Sequence, residues 1–347
     1  MTSRTGSRRG RVGAVALLTV AMVLGLMAGV ASANGSTLTP IEQLGKALFF
    51  DTNLSTPPGQ SCATCHAPEV GFTGPDSQIN ADTAVYPGAV HTRFGNRKPP
   101  TAAYGGESPV LYYDEDEEVW VGGMFWDGRA TGGLLGDPLA EQALGPFLNQ
   151  LEQNNPKKIT VCVKVALSDY ASLYEEVWNE GATDPFLETD LFYEQIGLSI
   201  SAYEQSMEVN PFSSKYDAYL AGKEDLTKLE ADGLELFEGK AMCSACHPSE
   251  YDGVNAPLFT DFTYDNLGTP KNPDNPFYTM PKKWNPAGYD WVDMGLGGFL
   301  ASISNPDYAA ENGKVKVPTL RNVDKRPYPG FVKAYMHNGV FKSLEEV

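Results

Sequence analysis

Apolar residues recur at helical spacing in three stretches, Lys164 to Trp178, Glu188 to Gln205 and Leu226 to Lys240, and each predicts an amphipathic helix. Two segments share a pattern: Leu44-Gly45-Lys46-Ala47-Leu48-Phe49 and Asp232-Gly233-Leu234-Glu235-Leu236-Phe237 both contain Gly-x-x-Leu-Phe. On a helix this puts an aromatic on the apolar face and a glycine where a second helix backbone can come close. No alternating strand pattern of useful length is present, so the fold class is mainly α. Gly- and Pro-rich tracts from Tyr86 to Tyr104 and from Leu267 to Gly298 read as long ordered loops. One apolar run is different in kind. Val12 to Val30 follows Arg4, Arg8, Arg9 and Arg11 and precedes Ala31-Ser32-Ala33, the layout of a signal peptide over residues 1–33 cleaved after Ala33. An uncleaved anchor is the alternative, because the run is long enough to cross a bilayer. Arg8-Arg9 also raises twin-arginine export. No second run of that length follows, so no integral membrane span remains after cleavage.

Composition narrows the partners more than the fold. The 347 residues are 42% hydrophobic, enough for one large or two medium cores. The 44 Asp+Glu against 26 Lys+Arg give a net charge of -18, which repels phosphates and makes nucleic acid an excluded partner. Cleavage of the leader would remove four arginines and no acid. The acidic surface suits a small basic protein. Asp114-Glu115-Asp116-Glu117-Glu118 could steer such a partner, although a solvated loop is the commoner meaning of an acidic run.

Of five cysteines, four fall in two identical frames, Cys62-Ala63-Thr64-Cys65-His66 and Cys243-Ser244-Ala245-Cys246-His247. Two thiols about one helical turn apart can add to the two vinyl groups on one porphyrin edge, and the adjoining imidazole then ligates the iron. Zinc would need further ligands, and only His91 and His337 remain as histidines. A redox dithiol would need no histidine behind each pair. The frames therefore predict two covalent haem c groups, with His66 and His247 as iron ligands. Cys162, within Thr160-Val161-Cys162-Val163, reads as a buried inert thiol. Because Gly-x-x-Leu-Phe precedes both frames, one cytochrome c unit is used twice: residues 34–205 and 206–347.

The ordered series extends further: Phe125-Trp126-Asp127-Gly128-Arg129-Ala130, Gln142, Gly145-Pro146-Phe147-Leu148-Asn149-Gln150-Leu151-Glu152, Ser214 to Gly222, Asn266-Leu267-Gly268, Val317 to Val323 and Tyr335-Met336-His337-Asn338-Gly339. This series resembles the bacterial di-haem cytochrome c peroxidases and the related methylamine-utilisation di-haem enzyme, over Leu44 to Val347. The resemblance implies that the haem on Cys62, Cys65 and His66 is peroxidatic and that the haem on Cys243, Cys246 and His247 receives electrons. It implies that Trp126 lies between the haems, where the alternative is core packing. It matches Gln142 and Glu152 to the distal pair; a carboxylate there can move a proton between the peroxide oxygens. It makes His91 the displaceable sixth ligand of the first haem, against the plainer reading of a surface loop histidine. The activity implied is reduction of hydrogen peroxide with electrons from a small c-type cytochrome or cupredoxin, in the periplasm. Alternatives are a maturase oxidising tryptophans of a partner and a non-catalytic di-haem carrier. The resemblance also allows a homodimer.

The sequence departs from that family twice. Where the family commonly has Arg-Asn, this chain has Arg97-Lys98, and a lysine ammonium cannot coordinate calcium. Calcium is thereby left to Asn96 or to backbone carbonyls near Val332 and Ala334. The family's Met or Tyr ligand to the second iron lies beyond the residue matching His337, past Val347. The reading is a truncated second unit, with Met336 as the one nearby thioether.

Overall fold

The computed structural model describes residues 37–179, 181, 183–251 and 255–347. The leader expected over residues 1–33 lies outside the described residues. The described residues form one compact unit. In chain order the helices are α1 (Pro40–Phe50), α2 (Ser77–Asp82), α3 (Pro138–Leu148), α4 (Lys158–Ala166), α5 (Ala171–Val177), α6 (Thr189–Gln205), α7 (Lys215–Leu220), α8 (Lys228–Glu238) and α9 (Gly295–Ser302). Two short antiparallel pairs join them, β1 (Tyr112–Asp114) with β2 (Val119–Val121), and β3 (Tyr264–Asp265) with β4 (Val315–Lys316). No helix among the described residues is long and apolar enough to cross a membrane.

Helix α1 starts where Thr39 and Glu42 close a capping box, the Thr39 N–H and hydroxyl donating to Glu42 Oε2 at 2.6 and 2.7 Å, with Pro40 in the first turn. Its buried face, Leu44, Leu48 and Phe49, packs on Ile196, Ile200 and Tyr203 of α6. A Cβ on Gly45 would lie 1.8 Å from the Ser199 carbonyl oxygen, so the expected close helix approach is realised here. On its other side α6 meets α3, where a Cβ on Gly197 would come within 2.8 Å of the Ala140 carbonyl. The central α6 thus holds α1 and α3, which frame the site.

The repeat behaves differently in α8. Thr227 and Glu230 cap it in the same way, yet none of its residues is buried. Leu229 is 82% exposed, and Gly233 has nothing within 4 Å of its missing Cβ. The expected helix from Lys164 to Trp178 breaks between α4 and α5. There the Ser168 hydroxyl donates back to the Val165 carbonyl at 2.7 Å and the Tyr170 hydroxyl is tethered to Asp51 Oδ2 at 2.7 Å.

Candidate active site

Both cysteine frames form the same 3-10 turn, Cys62–Thr64 and Cys243–Ala245. In each the histidine N–H donates to the first cysteine's carbonyl, at 3.0 Å from His66 to Cys62 and 3.0 Å from His247 to Cys243. Each imidazole is then oriented by a carbonyl further on: Nδ1–H donates to Phe72 O at 3.2 Å in the first frame and to Phe259 O at 2.7 Å in the second. Phe72 and Phe259 both have left-handed backbone, φ 57° and 55°. With Nδ1 so occupied, Nε2 keeps its lone pair for a metal. Burial holds His66 below its ordinary pKa despite the carbonyls of Phe72 and Pro100, which favours the neutral ligand form.

All five cysteines are free, and Cys162 is buried as expected. Burial raises the Cys62 thiol, and burial followed by the nearby Glu152 pushes Cys65 up to about 12. The first frame opens onto a cavity whose wall carries Cys62, Cys65 and His66. Gln60 Oε1, Gln153 Oε1 and Glu204 Oε2 belong to residues of its wall and are buried with no partner among the described residues. Two thiols, a neutral imidazole and a large cavity with unmet polar atoms fit a covalently held haem. At the second frame Cys243 and Cys246 are half-buried and the His247 ring is anchored, so the attachment set is complete there as well.

Gln142 and Glu152 line the first cavity with His66. Gln142 rides on α3. Glu152 follows the turn after that helix, where Asn149 Oδ1 accepts from Leu151 N at 2.9 Å and the Asn149 carbonyl accepts from Glu152 N at 3.0 Å. Burial raises the Glu152 carboxyl above its ordinary pKa, with Arg129 and the Asn149 side chain opposing. A half-buried carboxyl so placed can exchange a proton at the cavity. The role of Arg129 was not legible in the sequence, although it belongs to the Trp126-Asp127-Gly128-Arg129 motif. It pairs with Asp127 at 2.8 Å and lies 3.7 Å over the Phe125 ring.

Trp126 is 7% exposed and walls both this cavity and a second, smaller one. Its indole N–H donates to the Lys98 carbonyl at 3.1 Å, and its ring stands edge-on to His337 at 6.4 Å. Beside it Arg97 joins the two halves of the chain, donating to Asp127 at 2.7 Å and through Nε and Nη2 to Asp293, each at 2.6 Å. No sequence signal marked Asp293 as this partner.

The structure does not bring His91 to the cavity. It is exposed at the tip of a turn closed by Arg93 N donating to Val90 O and Gly88 N donating to Arg93 O, both at 2.8 Å. The turn is fastened beside Glu152: Ala89 N donates to the Glu152 carbonyl at 2.8 Å and Arg93 Nη1 to Asn154 Oδ1 at 2.8 Å. His91 thus stands outside the cavity wall that carries His66. Asn96 lines the cavity, and its carbonyl accepts from Asn275 Nδ2 at 2.8 Å. The turn holding Met336 packs on the first half of the chain, where the His337 carbonyl accepts from Lys98 N at 3.0 Å.

The sequence profile of the family described as di-haem cytochrome c peroxidase matches residues 40–225. The chain is 35% identical to the methylamine utilization protein MauG of Paracoccus denitrificans, over 87% of this chain and 71% of that protein. It is 29% identical to the cytochrome c551 peroxidase of Nitrosomonas europaea, over 88% and 70% respectively. Among solved structures, the diheme peroxidase BthA of Burkholderia thailandensis is 30% identical and superposes with a TM-score of 0.73, over 89% of this chain and 71% of that one.

Proposed function

This chain belongs to the di-haem cytochrome c peroxidase family, whose members carry two covalently bound haem c, and from that we propose that it reduces hydrogen peroxide to water with electrons from a small electron-carrier protein. Residues 34–205 and 206–347 are the two cytochrome c-like units. Cys62, Cys65 and His66 hold the haem at which peroxide reacts, and Cys243, Cys246 and His247 the haem that receives electrons. The observation that carries the reading is the gathering of His66, Gln142, Glu152 and Trp126 on one cavity wall. A bare electron carrier has no use for a proton-exchanging carboxyl there.

The bound haem iron supplies the metal centre and, with its partner, the two electrons that peroxide takes up. Glu152 takes the proton from one peroxide oxygen and returns it to the other, so the leaving oxygen departs as water. Gln142 orients the peroxide by hydrogen bonding, and Trp126, on the wall of the first cavity, offers an electron from the second haem a path to the first. The donor is a small c-type cytochrome or cupredoxin, and export places the protein in the periplasm. A second reading, oxidation of tryptophan on a partner protein, is favoured by the similarity to MauG and by the position of His91 away from the cavity. Reaction of the fully oxidised protein with peroxide, without prior reduction, is the result that selects it.

Glu152→Gln tests the main reading. Both haems should remain by haemochrome assay while turnover falls by about 10² to 10⁴-fold. In the parent, activity should rise with pH through a midpoint above the ordinary carboxylate value, because burial keeps the carboxyl protonated longer. That limb should vanish in the variant. Unchanged turnover in a haem-loaded Glu152→Gln protein removes Glu152 from the chemistry.

A further inference from the structure

Three cations stand on the wall of the first cavity, Arg97, Lys98 and Arg129. Arg97 is matched by Asp127 and Asp293, and Arg129 by Asp127. Lys98 has no carboxylate within ion-pair distance among the described residues. Its half-buried ammonium donates to the Pro99 carbonyl alone, at 3.2 Å, so two of its three N–H donors are unspent. Lys333 shows what a settled buried lysine looks like in the same molecule: its ammonium donates to the carbonyls of Val70, Asn322 and Lys325 at 2.9, 3.1 and 3.2 Å.

The carboxyl groups on the cavity wall do not answer this charge. Glu204 is held well above its ordinary pKa by burial and then by Asp137, and Glu152 is raised chiefly by burial. In both, burial weakens the charge available to Lys98. Burial, and then the like charge of Lys333, push the Lys98 ammonium down to about 7, as befits a cation without an anion. An ammonium left like this is costly to the fold unless something negative joins it. The group that the cavity is built to take brings two carboxylates of its own, the haem propionates.

Resting on the haem assignment above, we propose that Lys98 is the counter-ion of a propionate on the first haem and fixes that haem relative to Trp126. The same residue holds the indole from two sides, its carbonyl accepting the Trp126 N–H at 3.1 Å and its ammonium lying 5.8 Å from the ring centroid. Lys98 is a positioning residue: it touches the propionate edge and the indole and leaves the peroxide to Glu152.

The test is spectroelectrochemistry and resonance Raman of the di-haem protein, comparing the parent with Lys98→Met and Lys98→Arg. Removing a positive charge beside the first haem favours its oxidised state. Lys98→Met should therefore lower the first haem's reduction potential, leave the second in place and shift the propionate bending band, and Lys98→Arg should restore both signals. The shift should be equal in chloride and sulfate buffers, as a tethered carboxylate requires. If Lys98→Met is short of haem, Lys98→Gln takes its place in the same comparison. An unchanged potential and band in a variant with both haems overturns the proposal, as does a shift confined to the second haem or dependent on chloride. A parent with fewer than two haems would instead overturn the haem assignment.

Discussion

Arg97 ties the two halves of the chain together through paired charges. It is about one-tenth exposed and lies between Asp127, next to Trp126 in sequence, and Asp293 from the far half. Burial opposes the charge of Asp293, but the Arg97 guanidinium overrides it and holds the carboxyl below its ordinary pKa. Such a depressed carboxylate contributes stability above its unfolded value, and that contribution is lost as pH falls through the folded one. Arg97→Met strands the buried Asp293, leaves Asp127 to Arg129 alone, and should cost roughly 3–5 kcal/mol in denaturant unfolding at neutral pH. The loss should shrink below about pH 4, where the stranded Asp293 carboxylate takes up a proton. A variant as stable as the parent at neutral pH would show that the pair is not needed. This residue also marks the limit of what the sequence discloses. The cysteine frames with His66 and His247 were legible because their chemistry is written in local spacing, whereas Glu152 and Trp126 were singled out only by the resemblance of their motifs to the family. Asp293 meets Arg97 from 196 residues away, and no local pattern carries that; the carbonyl anchors at Phe72 and Phe259 are near in sequence but rest on left-handed turns at phenylalanines, a residue type that does not signal them.

At the level of elements, one motif has had two outcomes. In α1 the glycine is the contact itself, with Gly45 against the Ser199 backbone, whereas Gly233 in α8 faces open space. Gly45→Ala should therefore destabilise the protein by at least about 1–3 kcal/mol, since the obstacle is backbone. Gly233→Ala in the 347-residue chain should be neutral or stabilising by up to about 1 kcal/mol, through helix propensity. Thermal unfolding of the two haem-loaded variants compares them directly, and equal losses would refute the difference. Helices α6 and α8 were legible from apolar spacing, because periodicity reports which face is apolar, and α1 from the motif it shares with α8. It does not report what covers that face, and so the exposed Leu229 and Leu236 on α8 were not foreseen. The break after α4 was hidden for a related reason, since apolar spacing continues through it while Ser168 turns the backbone. Strands as short as β3 and β4 have no period to detect.

For the molecule as a whole, the net charge of -18 is the property a partner meets first. Reduction by a small basic donor should be fastest at low ionic strength and slow as salt rises, the screening length falling to about 8 Å at physiological strength. Stopped-flow rates that are flat or rise with salt would argue against a basic donor. Nearer the centre, the turn bearing His91 hangs from the Glu152 carbonyl through Ala89, and Gly88 lies so close beneath Leu151 that a Cβ would sit 2.3 Å from its carbonyl oxygen. There is no slack in that join. For the imidazole to swing inward, the strand of backbone that carries the acid would have to be let go or dragged along. A state in which His91 capped the iron would thus be disarmed twice, once by occupying the place where peroxide lands and once by pulling the proton relay out of alignment.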